Sequence, residues 1–332
     1  MRLTASVFCF ALLFFHSPAI AENFVVFDPP GSTSTIVTGV NTTGAVAGWS
    51  FQGGLPLASF IRAADGKFAS FQIYSSGKPL STYAQSINSG GDVAGYYYDP
   101  HGVQTGFIRA ATGKVTKIRG PIRELRCLSI NDSGDVVGDY WTGQRWAGFV
   151  RAADGATTII DPPGASYTSA LAINNGGFTV GQFTVGSGTP QGFLLSPDGT
   201  FTNITPPDLA SWRHAALYLT AINAIGQITG QYETQTSASG YLRAADGAVT
   251  LFNPPDAHGT LPISINDGGA IAGYFDDANY VSHGFVRGAD GRIEIFDPPG
   301  SLVTTVGGIN TSGAVAGWFT DSTTSHGYIR TP

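Results

Sequence analysis

"INDSGDVVGDY", residues 130–140, sets Asn131, Ser133, Asp135 and Asp139 at spacings of two and four around a glycine, in the manner of a calcium loop. The stretch recurs as "VNTTGAVAGW", "INSGGDVAGY", "INNGGFTVGQ", "INAIGQITGQ", "INDGGAIAGY" and "INTSGAVAGW". Its asparagines are Asn41, Asn88, Asn131, Asn174, Asn223, Asn266 and Asn310, separated by 47, 43, 43, 49, 43 and 44 residues. A period of roughly 40 to 50 residues without helical patterning marks a propeller or a related array. A calcium loop needs about six or more oxygens, and most copies carry no carboxylate between the Asn and the second Gly. The stretch therefore reads as a turn: the Asn side chain bonds the turn backbone, and Gly takes the left-handed position. No metal is expected there.

A second motif follows in each unit: "SFIRAADG", "GFIRAATG", "GFVRAADG", "GFLLSPDG", "GYLRAADG", "GFVRGADG" and finally "GYIR". Asp-Gly is a hairpin signal, because tight hairpin turns need residues that tolerate positive φ. A short apolar strand comes next, and then, in most units, "DPP", "TPP" or "NPP", where proline ends the ladder for want of an N–H. Each unit thus holds four strands: A runs into the Asn, B follows it, C is the "GFIRA" segment and D comes after Asp-Gly. The last unit stops after strand C, and "NFVVFDPPG" near the N-terminus copies the strand D "IEIFDPPG" of residues 293–300. The expected fold is all-β: a seven-bladed β-propeller, four antiparallel strands per blade, with the N-terminal strand completing the last blade. A two-residue turn at Asp290-Gly291 would set Phe285 opposite Phe296 and Arg287 opposite Glu294. Carried to the termini, that register sets Tyr328 opposite Phe27 and Arg330 opposite Val25.

These motifs resemble the extracellular HAF-repeat family. The matching residues are "HGF" at 283–285 and "HGY" at 326–328, together with the "IN-x-x-G-x-x-x-G" segments, and they span essentially the whole chain after its leader. The resemblance implies a secreted repeat protein and assigns no catalytic residues. Residues 1–21 read as a signal peptide: Arg2, an apolar "VFCFALLFF" and an Ala19-Ile20-Ala21 cleavage site. Residues 22–332 then form a single domain, secreted or periplasmic, with no membrane span expected. Cys127 is the one cysteine beyond the leader, so the domain must be held by burial rather than by disulfides. A net charge of −6 and a pI near 5.4 argue against nucleic acid. There is no His-x-x-x-His, Gly-x-Ser-x-Gly or cysteine pair for zinc, and no cofactor is implied.

Arg62, Arg109, Arg151, Arg243, Arg287 and Arg330 recur at one place in strand C, with Leu195 in the fourth unit. A guanidinium that ties strands or blades together fits this better than a ring of cations spread far from the axis. Cys127 occupies a small core position. The A–B and C–D turns are nearly constant in length and share one face; the B–C loops and D–A linkers vary and share the other. Binding residues concentrate on variable loops held by a rigid scaffold. On that face "RGPIRELRC" brings Arg119, Arg123 and Arg126, "WTGQRW" brings Trp141, Arg145 and Trp146, and "DLASWRHAALYL" brings Trp212, Arg213 and His214. Tyr98 and Tyr280 complete the candidate ligand-binding set, whereas Trp49, Trp318, Tyr96 and Tyr274 read as packing between blades. Aromatics beside Arg and His stack on sugars or anchor protein partners. The readings are a module binding a glycan or extracellular polymer, a protein–protein scaffold, and a polysaccharide hydrolase or lyase. A pair of carboxylates, or a His and a carboxylate, converging in a loop-face pocket would favour the last.

Overall fold

Each repeat folds as an antiparallel meander of four short strands. In the third repeat these are Leu125–Ile130, Val136–Trp141, Trp146–Arg151 and Thr157–Ile160, hydrogen-bonded in chain order. The computed structural model describes residues 23–54, 56–119, 124–205 and 215–332; the expected signal peptide, residues 1–21, lies outside them. Among the described residues the strands form five four-stranded sheets, one eight-stranded sheet and one separate hairpin, without a helix. The eight-stranded sheet is the fifth and sixth repeats side by side, joined by a single parallel bridge between Ala238 and Gly259. The separate hairpin, Ile73–Ser75 with Lys78–Leu80, interrupts the linker after the first repeat. Its turn is Ser76-Gly77, both at positive φ. The Ser-Gly of "YSSGKP" is its signal in the sequence, inside what reads there as plain linker.

The A–B turn is the type I turn plus glycine bulge that its sequence dictates. In the first repeat the Gly44 N–H donates to Asn41 O, the Asn41 N–H donates to Ala45 O, and Gly44 has φ 82°. Asn41 Oδ1 accepts the Ala45 N–H at 2.9 Å. Its Nδ2 has a second role: it donates to the backbone carbonyl of Asn88, at 2.9 Å, in the next repeat. The same bond joins Asn88 to Asn131, Asn131 to Asn174, Asn174 to Asn223, Asn223 to Asn266 and Asn266 to Asn310. Asn310 then donates to Asn41 O at 3.2 Å, so the chain of bonds returns to its start. All seven asparagines are buried. The A strands follow the same order: Ser34–Val40 touches the A strand of the second repeat on one side and that of the last, Val303–Ile309, on the other.

Beside this ring the backbone packs closely. A register shift interrupts every A strand, as between Cys127 and Ser129. Opposite it lies the second glycine of the motif. A Cβ on Gly138 would sit 1.8 Å from Arg126 O, and one on Gly48 would sit 2.1 Å from Ile36 O. Only glycine lets the B strand approach the bulged A strand.

The core lies between neighbouring sheets rather than within any one. One cluster joins Val137 and Ile160 of the third repeat to Ala170, Phe183 and Phe193 of the fourth. Another joins Phe27 and Ala316 to Val37, Val46 and Phe60. The aromatic of each strand-C "SF", "GF" or "GY", such as Phe60, Phe107 and Phe149, is almost wholly buried. Each contributes about 1.5–3 kcal/mol by burial, but only with its neighbour repeat in place. Cys127 is fully buried in this core, and burial pushes its thiol pKa up to about 12.

The strand-C arginines tie repeats together. Arg62, Arg109, Arg287 and Arg330 lie 4.8–5.1 Å from the ring centres of Phe27, Phe71, Phe252 and Phe296, each ring on strand D of the preceding repeat. Glu294 pairs with Arg330 of the following repeat, at 2.5 Å, not with Arg287 across its own hairpin. The expected register is off by one. Gly288 and Arg292 flank a three-residue turn, so Phe285 faces Ile295 and Arg287 faces Ile293. The strand Asn23–Phe27 lies antiparallel to Ser325–Thr331 with Phe27 opposite Gly327 and Val25 opposite Ile329, where Tyr328 and Arg330 were expected.

Candidate ligand-binding face

The acidic stretch of the third repeat does not gather its oxygens on one point. Asp135 Oδ1 accepts the Ala153 N–H at 3.0 Å, while Asp139, at the far end of strand B, is bound bidentately by Arg126 at 2.8 and 2.7 Å. Ser169 Oγ of the next repeat donates to Asp139 Oδ2 at 2.8 Å. Arg126 and Asp139 face each other across strands A and B. Burial acts to lower the Arg126 pKa, but the bonds and charge of Asp139 outweigh it, and the net shift is upward. The guanidinium also lies 4.7 Å from the ring of Trp146.

Trp146 opens strand C and pairs directly with Trp141, the last residue of strand B. Their rings meet edge-on, with centroids 5.9 Å apart. The short loop between them is pinned by the Thr142 hydroxyl, which donates to Arg145 O at 2.8 Å and accepts the Arg145 N–H at 3.1 Å. Arg145 turns outward to Asp161 at the end of the same repeat, at 2.6 Å. Arg126, Trp146 and Trp141 therefore form one group, and Arg145 stands apart from it.

The register that holds Arg126 and Asp139 in the third repeat holds Tyr83 and Tyr96 in the second and Ile36 and Trp49 in the first. Tyr83 and Tyr96 stack, with centroids 5.0 Å apart and planes 15° apart. Trp49 meets Tyr83 at 5.4 Å, and Phe51 meets Trp49 at 5.8 Å. At the other end Tyr98 lies 5.7 Å from Tyr83, and its hydroxyl accepts from Gln104 Nε2 at 2.9 Å. Trp49, Tyr83 and Tyr96 are half-buried, and Phe51 and Tyr98 are exposed. Burial first, and then the neighbouring Tyr98 and Tyr83, raise the Tyr96 pKa; the charges of Arg126 and Asp139 also reach it. Five rings thus run across the first and second repeats. Trp49 packs against Tyr83 of the next repeat, which is packing between repeats as expected, and Tyr83 was not singled out in the sequence. The signal for it was its place at the head of strand A, where Arg126 stands one repeat later.

Tyr280, 71% exposed, belongs elsewhere: its ring lies 4.7 Å from that of His258. Trp212, Arg213, His214 and Arg123 lie outside the described residues. Two histidines of the "HG" motifs do meet carboxylates. His326 Nδ1 is 2.7 Å from Asp28 Oδ2 and its Nε2 is 3.3 Å from Asp321 Oδ2. His283 sits between Asp297, at 2.7 Å, and Asp277, at 3.8 Å. With a carboxylate at each ring nitrogen, these side chains clasp the B–C loop to the end of strand D. At the opposite, turn end, the asparagine ring borders a polar cavity of about 180 Å³.

No helix among the described residues is long and apolar enough to cross a membrane. No family model matches the chain, and no curated protein matches it. Solved structures do. A streptogramin B lyase is 16% identical with a TM-score of 0.57, covering 93% of this chain and 97% of its own. A virginiamycin B lyase from Staphylococcus aureus is 14% identical with a TM-score of 0.60, covering 93% and 99%. A puromycin hydrolase is 13% identical with a TM-score of 0.58, covering 90% of this chain and 52% of its own. At such identities the likeness is one of fold: the chain folds as an all-β protein of the β-propeller kind.

Proposed function

We propose that the chain is a secreted, seven-bladed β-propeller of the HAF-repeat type that binds a carbohydrate or similar extracellular polymer across the loop face of its first three repeats. The blade count is supported by the bonds from Asn41 through seven repeats back to Asn41, and by the N-terminal strand lying beside the last repeat. Export is supported by the leader of residues 1–21.

The binding reading is carried by the run of Phe51, Trp49, Tyr83, Tyr96 and Tyr98 and by the Arg126, Trp146 and Trp141 group of the next repeat. Half-exposed rings offer apolar faces to the C–H surface of sugars, while tyrosine hydroxyls and arginine bond their hydroxyl groups. Rings spread over adjacent repeats suit an extended chain better than a small enclosed ligand. The hydrolase or lyase reading rests on His326 between Asp28 and Asp321 and on His283 beside Asp297 at the loop end; both ring nitrogens of His326 are engaged by those carboxylates.

The test is a glycan array followed by affinity measurement with the wild type and a Tyr98→Ala, Trp146→Ala double variant. Each stacking ring lost should weaken binding by about 1 kcal/mol, or about fivefold. If no glycan binds the folded wild type, or the double variant binds as tightly, the reading fails and a protein partner anchored on the same aromatics takes its place.

A further inference from the structure

The groove between the third and fourth repeats is an arginine socket from which the arginine is missing. In five repeats the strand-C guanidinium packs against the glycine of the following turn: Nη2 of Arg62, Arg109, Arg151, Arg243 and Arg287 lies 3.2–3.6 Å from where a Cβ would stand on Gly66, Gly113, Gly155, Gly247 and Gly291. In four of them Nη1 also donates to the carbonyl of the next residue, as Arg109 does to Ala110 O at 3.3 Å. The fourth repeat has Leu195 instead, and nothing lies within 4 Å of the same position on Gly199. The matching carbonyl, Ser196 O, accepts the Gly199 N–H as its counterparts do, but Leu195 has no donor to offer it.

A groove of about 510 Å³ opens there, against about 330 Å³ at the preceding junction, where Arg151 is in place. Ile159, Ile160 and Leu195 form apolar walls. Phe201, 37% exposed, presents a ring. The charged residues lining the groove are Asp161, which Arg145 pairs at 2.6 Å, and Asp198, which accepts the Thr200 N–H at 2.9 Å.

We propose that this groove receives a guanidinium group, supplied as an arginine side chain by a partner polypeptide. Shape, acceptor and charge select that group together. The slot is the one a guanidinium fills elsewhere in the molecule, Ser196 O stands where it would donate, and Asp198 sets a negative charge on the rim. A purely apolar side chain would offer Ser196 O no second donor and Asp198 no cation. The site is separate from the loop-face aromatics and stands or falls without them.

The test is a titration of methyl-labelled protein with N-acetyl-arginine amide, with the lysine and norleucine amides as competitors in kind. The arginine probe should shift the methyl resonances of Ile159, Ile160 and Leu195, and the other two should not at the same concentration. Leu195→Arg, which fills the socket from within, should abolish the remaining shifts. Asp198→Asn, a mild exposed change that leaves the fold intact, should weaken binding about threefold, the scale of one exposed ionic contact. Equal shifts from norleucine, no shifts from arginine, or undiminished binding by Leu195→Arg would each overturn the proposal.

Discussion

Asn131 carries more than its local turn. Its Oδ1 accepts the Asp135 N–H at 2.8 Å, while its Nδ2 donates to Asn174 O at 3.2 Å in the next repeat. The first bond is legible in the sequence, because Asn-x-x-Gly is local turn chemistry. The second is not, since it depends on where the next repeat lies. The sequence reading allows about 1 kcal/mol for one local bond; with a second, buried bond to the next repeat, Asn131→Ala should cost about 2–3 kcal/mol in urea unfolding. A change under about half that would mean the inter-repeat bond contributes nothing. His326 gives a pH signature. Burial acts to lower its pKa, but the carboxylates of Asp28 and Asp321 outweigh it and raise it. A raised folded-state pKa stabilises fully below the unfolded value of about 6.5 and stops doing so as pH climbs through the folded value. His326→Gln should therefore lower the melting temperature at about pH 5.5 and converge on the wild type near about pH 9. A loss independent of pH would show that the clasp works by shape rather than by charge.

Within an element, backbone approach explains the motif's second glycine. A side chain at residue 138 would collide with the backbone of Arg126, which no rotamer change relieves. Gly138→Ala should cost about 3 kcal/mol or more, as severe overpacking does, whereas a substitution at the exposed turn residue Ser133 should leave stability nearly unchanged. Equal tolerance at both positions in thermal melts would contradict the close A–B packing. Strand existence and order were readable from periodicity and turn residues. Register was not: Asp290-Gly291 fits a two-residue turn as well as the three-residue turn that forms, and a one-residue difference exchanges Phe285 for Gly284 opposite Phe296. The proposed loop-face site was half legible. Trp141 and Trp146 stood out as departures from the repeat. Tyr83 and Trp49 did not, because each sits in a regular strand, and only the packing of one repeat on the next joins their rings. The arginine socket was visible as a single exception, Leu195, but its volume required the fold.

For the whole molecule, the cores between sheets make each repeat depend on its neighbours, so the junction between the termini should matter as much as any other. Removing residues 23–27 would strip Phe27 from the core it shares with Val37, Val46 and Phe60 and would unpair the last C strand. That truncated chain should melt well below the full domain, and an unchanged melting curve would argue for an open array. The constant turns and their asparagine ring make one end of the molecule regular, leaving the other free to vary. The central claim is that this free face, at the first three repeats, holds an extended polymer. Hydrogen exchange with and without a glycan found by array screening tests it most directly. The account predicts new protection confined to residues 49–51, 82–83, 96–98, 126 and 141–146, with the A–B turns and the Tyr280 loop unchanged. Protection centred on the asparagine ring or on Tyr280, with none along the aromatic run, would contradict it.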